Sequence, residues 1–234
     1  MANESLHTTD TEPALTSLAG KLLNLFVSPA LVFEEVIASP PKLLNWLVPT
    51  VMVCLSGCLV LDGTTSPERT DAAIRQLLDA GRITQQQSTA LTVHWLSISR
   101  VVICLGTFIG TFWSAFVLWF IGRVFLKSRF GFAKALEVVG LAGTILVLGT
   151  ITTALLIFAT GDASTRPALS LLLFKRAPDN PLRAAFGVLD CFNLWTAAVL
   201  SIGLSRLTGV SVKEAAFWVF VYWLGAKIAL ILLA

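Results

Sequence analysis

Two ionisable side chains fall inside apolar text, where charge is costly. Asp190 lies in the run 184–204 and Lys227 in the run 215–234. Within a bilayer such groups face the bundle interior or a water-filled space. Each lies seven residues from its nearer boundary, Arg183 or the C-terminal alanine. At about 1.5 Å per residue, that places each ~10 Å below its membrane face. The connection 205–214 is short, which makes the two runs antiparallel neighbours. The spacing therefore predicts that Asp190 and Lys227 approach one another, directly or through water. Asn193, Ala197 and Ser201 continue one helical face from Asp190. The chemistry open to Asp190, Asn193 and Lys227 is ion conduction, a proton relay or a head-group site. A buried ion pair closing a polar seam, or Lys227 snorkelling to the interface, explains the same spacing without any activity.

Other polar and small residues are weaker pointers. Glu137 opens an apolar run beside Lys134 and reads as a helix-start acid at the membrane surface, ahead of the alternative of a buried role. Gly106 and Gly110 form a GxxxG next to Thr107, Thr111 and Ser114, and Gly140, Gly143, Thr144 and Gly149 give the following run a similar face. Small residues let helices approach closely in lipid, so Gly106, Gly110, Gly140 and Gly143 are candidate helix-packing positions. Cys54, Cys58, Cys104 and Cys191 all sit in apolar stretches, and Cys54 and Cys58 share a helix face. With His7 and His94 outside the strong apolar runs, no metal set is implied, and the thiols read as small apolar residues. HExxH, GxSxG, the P-loop and the Gly-rich dinucleotide fingerprint are all missing. Arg166, Lys175, Arg176 and Arg183 are basic but lack fixed spacing, so they point only weakly to lipid head groups. The tryptophans fit interfacial belts and bundle packing rather than a cofactor cage. No catalytic residue, metal ligand or cofactor is expected.

The elements that must position these residues follow from composition. Of 234 residues, 56% are hydrophobic and 13% charged, with a mean hydropathy of +0.80 and a net charge of +3. A soluble domain carries about 25% charged residues. Too little polar surface remains for a soluble enzyme, a disordered chain or a nucleic-acid binder. The reading is an all-α membrane protein, a five-transmembrane-helix bundle with N-terminal amphipathic interfacial helices. Spans of roughly 20 apolar residues are expected at 43–61, 101–122, 138–159, 184–204 and 215–234. Residues 1–13 read as a flexible N-terminus without a secretory signal. Residues 14–41 read as amphipathic interfacial helices broken at Ser28-Pro29, with Leu15, Leu18, Leu22, Leu23 and Phe26 on one side and Lys21 and Asn24 on the other. Residues 42–234 form the membrane domain. Ser66-Pro67-Glu68 marks a helix start, text from Ile83 runs into the second span, and 161–183 reads as a loop with an apolar patch at 169–174.

Lysines and arginines tie between the two sides of this topology. The 123–135 loop is short, basic and free of acids, which favours a cytoplasmic N-terminus. The stretch 182–232 resembles the C-terminal half of bacterial members of the YIP family, the Ypt-interacting-protein or Yip-one domain. The matching text is Leu189-Asp190-x-Phe192-x-x-Trp195, then Gly203-Leu204, a short basic turn, and a last span with Trp223 and Lys227. Ser28-Pro29, Phe33-Glu34-Glu35 and Pro40-Pro41 resemble the family's segment before its first span. The resemblance implies a five-helix membrane domain with a cytoplasmic N-terminus. Eukaryotic relatives resemble trafficking factors that engage Rab-type GTPases. This chain has only about 40 residues before its first span, which puts GTPase binding in doubt and favours a prokaryotic protein of the cell inner membrane.

Two functional readings follow. One is a non-enzymatic membrane scaffold or accessory protein, acting through contacts with lipid, with another integral membrane protein or with a transport complex. The other is a small ion or solute transporter or channel with a polar path at Asp190, Asn193 and Lys227. Neither involves nucleic acid, and nothing in the sequence specifies a homo-oligomer.

Overall fold

The protein is described by a computed structural model covering residues 16–161, 165–168 and 190–233. Among these residues all regular structure is helical. Two short helices come first, α1 (Leu18–Asn24) and α2 (Pro29–Ala38). Ser17 caps α1 through its side chain, and Pro29 starts α2 where a missing N–H costs nothing. Next come α3 (Leu44–Thr64), α4 (Pro67–Asp79) and α5 (Gln85–Phe120). A capping box between Thr84 and Gln87 opens α5, which then runs unbroken to a π-helical turn at Ile121–Phe125. The chain continues as α6 (Phe132–Thr160), α7 (Cys191–Thr208) and α8 (Val212–Leu233). Gly161 and Gly209 close α6 and α7 with φ of +70° and +77°, a conformation natural to glycine.

Among the described residues three helical stretches are long and apolar enough to cross a membrane: Leu44–Thr64, Gln85–Phe125 and Phe132–Thr160. The outer surface suits lipid, with Leu55, Leu59, Val102, Leu105, Ile109 and Leu155 exposed. Helix α6 is the axis of the bundle, touching α2, α3, α5 and α7, and its most extensive contact is with α3. Helix α8 packs on α7, and α4 folds back on α5. The apolar core is gathered at the end of the bundle that carries α1 and α2. Phe33, Val36, Val138, Leu141, Ile145 and Leu204 are almost fully buried there.

The first two helices are not simply laid on a membrane surface. Phe33 and Val36 reach into the core, and α2 packs on α7 and α6. The polar side expected for α1 is reversed at two positions. Lys21 is buried and Leu23 is exposed, because the Lys21 ammonium lies 3.3 Å from the Glu35 carboxylate. Glu35 also accepts the Thr16 N–H at 2.8 Å. Burial pulls the Glu35 carboxyl up. The hydrogen bonds from Thr16 and Lys21 and the lysine's charge outweigh it, leaving the group below its usual value of 4.5. A depressed folded-state pKa contributes stability above the unfolded value, and that contribution is lost as pH falls through the folded value. Docking of α1 on α2 is therefore expected to loosen below about pH 4.5. Amide-exchange protection across residues 18–24, taken relative to the intrinsic rate at each pH, should fall there, and Glu35→Gln should flatten the profile. An unchanged wild-type profile would contradict this.

Candidate functional site: a bridged helix junction and an open groove

Helix α3 begins badly from a local point of view. Its N-cap is Leu43, which has no side chain able to accept a hydrogen bond, and Pro40 and Pro41 precede it. Glu137 of α6 supplies the missing acceptor from 95 residues away, taking the Lys42 N–H at 2.8 Å. The same oxygen accepts the Asn45 side-chain N–H at 2.7 Å. The other carboxylate oxygen pairs with the Lys134 ammonium at 2.7 Å. Lys134 in turn donates to the Val36 carbonyl at 2.6 Å, in the last turn of α2. An anion thus sits at the positive N-terminal end of α3 and a cation at the negative C-terminal end of α2, each of the sign the helix dipole favours. Glu137 is only 1% exposed. This corrects the expectation of a surface acid. Three donors reach its two oxygens, so the buried carboxyl group is hydrogen-bonded through both.

The four candidate packing glycines separate into two kinds. At Gly140 a Cβ would meet the Trp46 Cα at 2.3 Å, so α6 and α3 touch backbone to backbone. At Gly106, Gly110 and Gly143 a Cβ would meet nothing within 4 Å. These three line an open groove of about 280 Å³ whose walls come from α3, α5, α6 and α7. Its threonine hydroxyls are spent on their own helices. Thr50 donates to the Trp46 carbonyl, Thr107 to Ile103, Thr111 to Thr107, and Thr196 to Phe192, at 2.7 to 2.9 Å. The groove presents methyls, backbone and spare lone pairs, and these threonines add no free donor. Close contacts also occur at Gly149, against Phe192, as its place on the small face suggests, and at Gly203, against Val138 and Phe33.

Val53 and Leu146 are shared with a second cavity of about 390 Å³. Asp190, Asn193 and Arg166 stand around it. Two of the three residues singled out for an intramembrane polar site therefore share a cavity. Lys227 does not line it, and among the described residues no ion pair joins it to Asp190. Asp190 is the N-cap of α7 rather than a residue within the helix. Its Oδ1 accepts the N–H groups of Phe192 at 2.8 Å and Asn193 at 3.1 Å. The Lys227 ammonium lies 5.9 Å from the centre of the Trp223 ring, one turn back on α8. Capping satisfies the aspartate locally, and the indole holds the lysine on its own helix. The 161–183 loop and the residues Lys175, Arg176 and Arg183 lie largely or wholly outside the described residues, with Arg166 the described member of that basic set. At the same end Arg100 Nη2 bonds Asp62 at 2.9 Å, tying α5 to α3.

Compared with known families, residues 23–234 match the model described as the Yip1 domain. No curated protein and no solved structure matches the chain.

Proposed function

The chain belongs to the Yip1 domain family, and from that premise we propose that this multi-pass membrane protein is a non-enzymatic scaffold or accessory protein. It crosses the membrane five times, α7 and α8 joining α3, α5 and α6 as spans. It resides in the inner membrane of a prokaryote with its N-terminus in the cytoplasm. The observation that supports this reading is the unfilled glycine groove. Glycines at Gly106 and Gly110 allow close helix approach, yet among the described residues no side chain or helix fills the space before them. A helix of another membrane protein, seated against α5, would bury that surface.

A photo-crosslinking residue at Ser114, which lines the groove on α5, is expected to capture a second membrane protein in native membranes. Gly106→Leu with Gly110→Leu should fill the space and reduce capture at least tenfold while the protein stays folded. Capture that survives the filled groove, or lipid as the sole adduct, would count against the partner helix.

One observation favours the transporter reading: the groove shares Val53 and Leu146 with the cavity at Asp190 and Asn193. Flux through reconstituted vesicles that is abolished by Asn193→Leu would support that reading. Vesicles that remain tight to ions and small solutes would not.

A further inference from the structure

We infer that Cys58 and Cys104 form a redox-active pair that locks α3 to α5, with a lipid-soluble quinone as the class of oxidant. The two sulfurs are 4.0 Å apart across the interface between the helices. Forming a bond of about 2.05 Å needs each sulfur to move only ~1 Å, within reach of a side-chain rotation. Two further contacts hold the helices in register on either side of the pair. Gly57 permits close approach, a Cβ there lying 3.0 Å from Ile103. One turn further along, Arg100 donates through both Nε and Nη2 to a single Asp62 oxygen. Cys54 also faces Cys104, its sulfur 3.9 Å from the Cys104 carbonyl, whereas the sulfur-to-sulfur contact at 4.0 Å is that of Cys58.

Both members of the pair are half-buried on apolar helices, within reach of a molecule dissolved in lipid. In the reaction two S–H bonds break and one S–S bond forms. The quinone takes up both electrons and both protons and leaves as the quinol. Helices α3 and α5 both wall the groove, so the new bond fixes the spacing of two of its sides. The pairing rests on the thiol geometry and stands whether or not a partner helix enters the groove.

The experiment uses the full chain in lipid nanodiscs, with Cys191→Ser to remove the exposed thiol that would link separate molecules. After treatment with decylubiquinone, the protein is denatured and its remaining thiols are counted by maleimide labelling. The expected result is a fall from three labels to one. Cys54→Ser in the same background should fall from two labels to none, whereas Cys58→Ser and Cys104→Ser should each keep two. Three labels surviving in the parent, or a loss of labels in Cys58→Ser equal to that of the parent, would overturn the assignment.

Discussion

Glu137→Ala is expected to remove about 3–5 kcal/mol of stability, the range for stripping one member from a buried ion pair. Three donors converge on this carboxylate, and alanine takes that acceptor from each of them, leaving Lys134 only the Val36 carbonyl. The donors are the Lys134 ammonium, the Asn45 amide and the Lys42 N–H. The uncompensated lysine is the largest part of the loss, because it is 13% exposed and faces the end of α2 rather than open water. Unfolding in mixed micelles, followed by helical signal, measures the difference. Glu137→Gln keeps an acceptor but loses the charge and should fall between wild type and alanine. Glu137→Leu with Lys134→Leu removes both charges and should recover part of the loss. Faster amide exchange in α2 and at the start of α3 should accompany the single alanine, since the carboxylate joins those two helix ends. A loss under ~0.5 kcal/mol, typical of an exposed surface site, would show that water serves these donors instead.

That junction could not have been read from the chain. The text Lys134-Ala-Leu-Glu137 shows a lysine and an acid one turn apart at a span start, which is what a surface pair also looks like. The partners that bury it, Lys42, Asn45 and the Val36 carbonyl, are more than 90 residues away. The weak local cap at Leu43 was visible, but nothing said what replaced it. Lys21 misled for the same reason. Helical spacing put it opposite the leucines, and only the fold of α2 against α1 shows that Glu35 waits on the inner side.

Hydropathy did identify α3, α5 and α6, because a run of about 20 apolar residues has one cheap environment. It also carried the continuity of the text from Ile83 into α5, whose helix starts at Gln85. The depth argument for Asp190 and Lys227 assumed that the helix already existed at Asp190, which caps it instead. An aspartate before a helical run is itself a start signal, and that signal was outweighed by apolar text on both sides. The Trp223–Lys227 contact is a four-residue spacing, legible in principle, but it drew no notice beside the more attractive ion pair. For the glycines, residue type shows where close approach is possible. Which of them has a neighbour depends on helix rotation, which small residues on several faces do not determine.

The strongest test of that last distinction pairs two identical substitutions. Gly140→Leu should be severely destabilising, and Gly106→Leu should not. At Gly140 the new Cβ would lie 2.3 Å from a backbone Cα and 3.1 Å from a backbone carbonyl carbon, both of Trp46. A flexible side chain can move aside, but this contact yields only if α3 and α6 separate as bodies. Overpacking costs about 1–3 kcal/mol where side chains can adjust, and a backbone obstacle places Gly140→Leu at or above the top of that range. Separation would also strain the Glu137 junction, because Gly140 is one turn from Glu137 and Trp46 adjoins Asn45. The two sites should therefore couple: Glu137→Ala and Gly140→Leu together should cost less than the sum of each alone. At Gly106 the same leucine enters open space, and its better helix propensity offsets any loss by up to about 0.8 kcal/mol. Thermal unfolding of the two variants side by side decides the matter. Equal destabilisation would mean that α5 closes on the groove in the folded protein. A clear gap between them would support one helix face sealed by the chain itself and another left open.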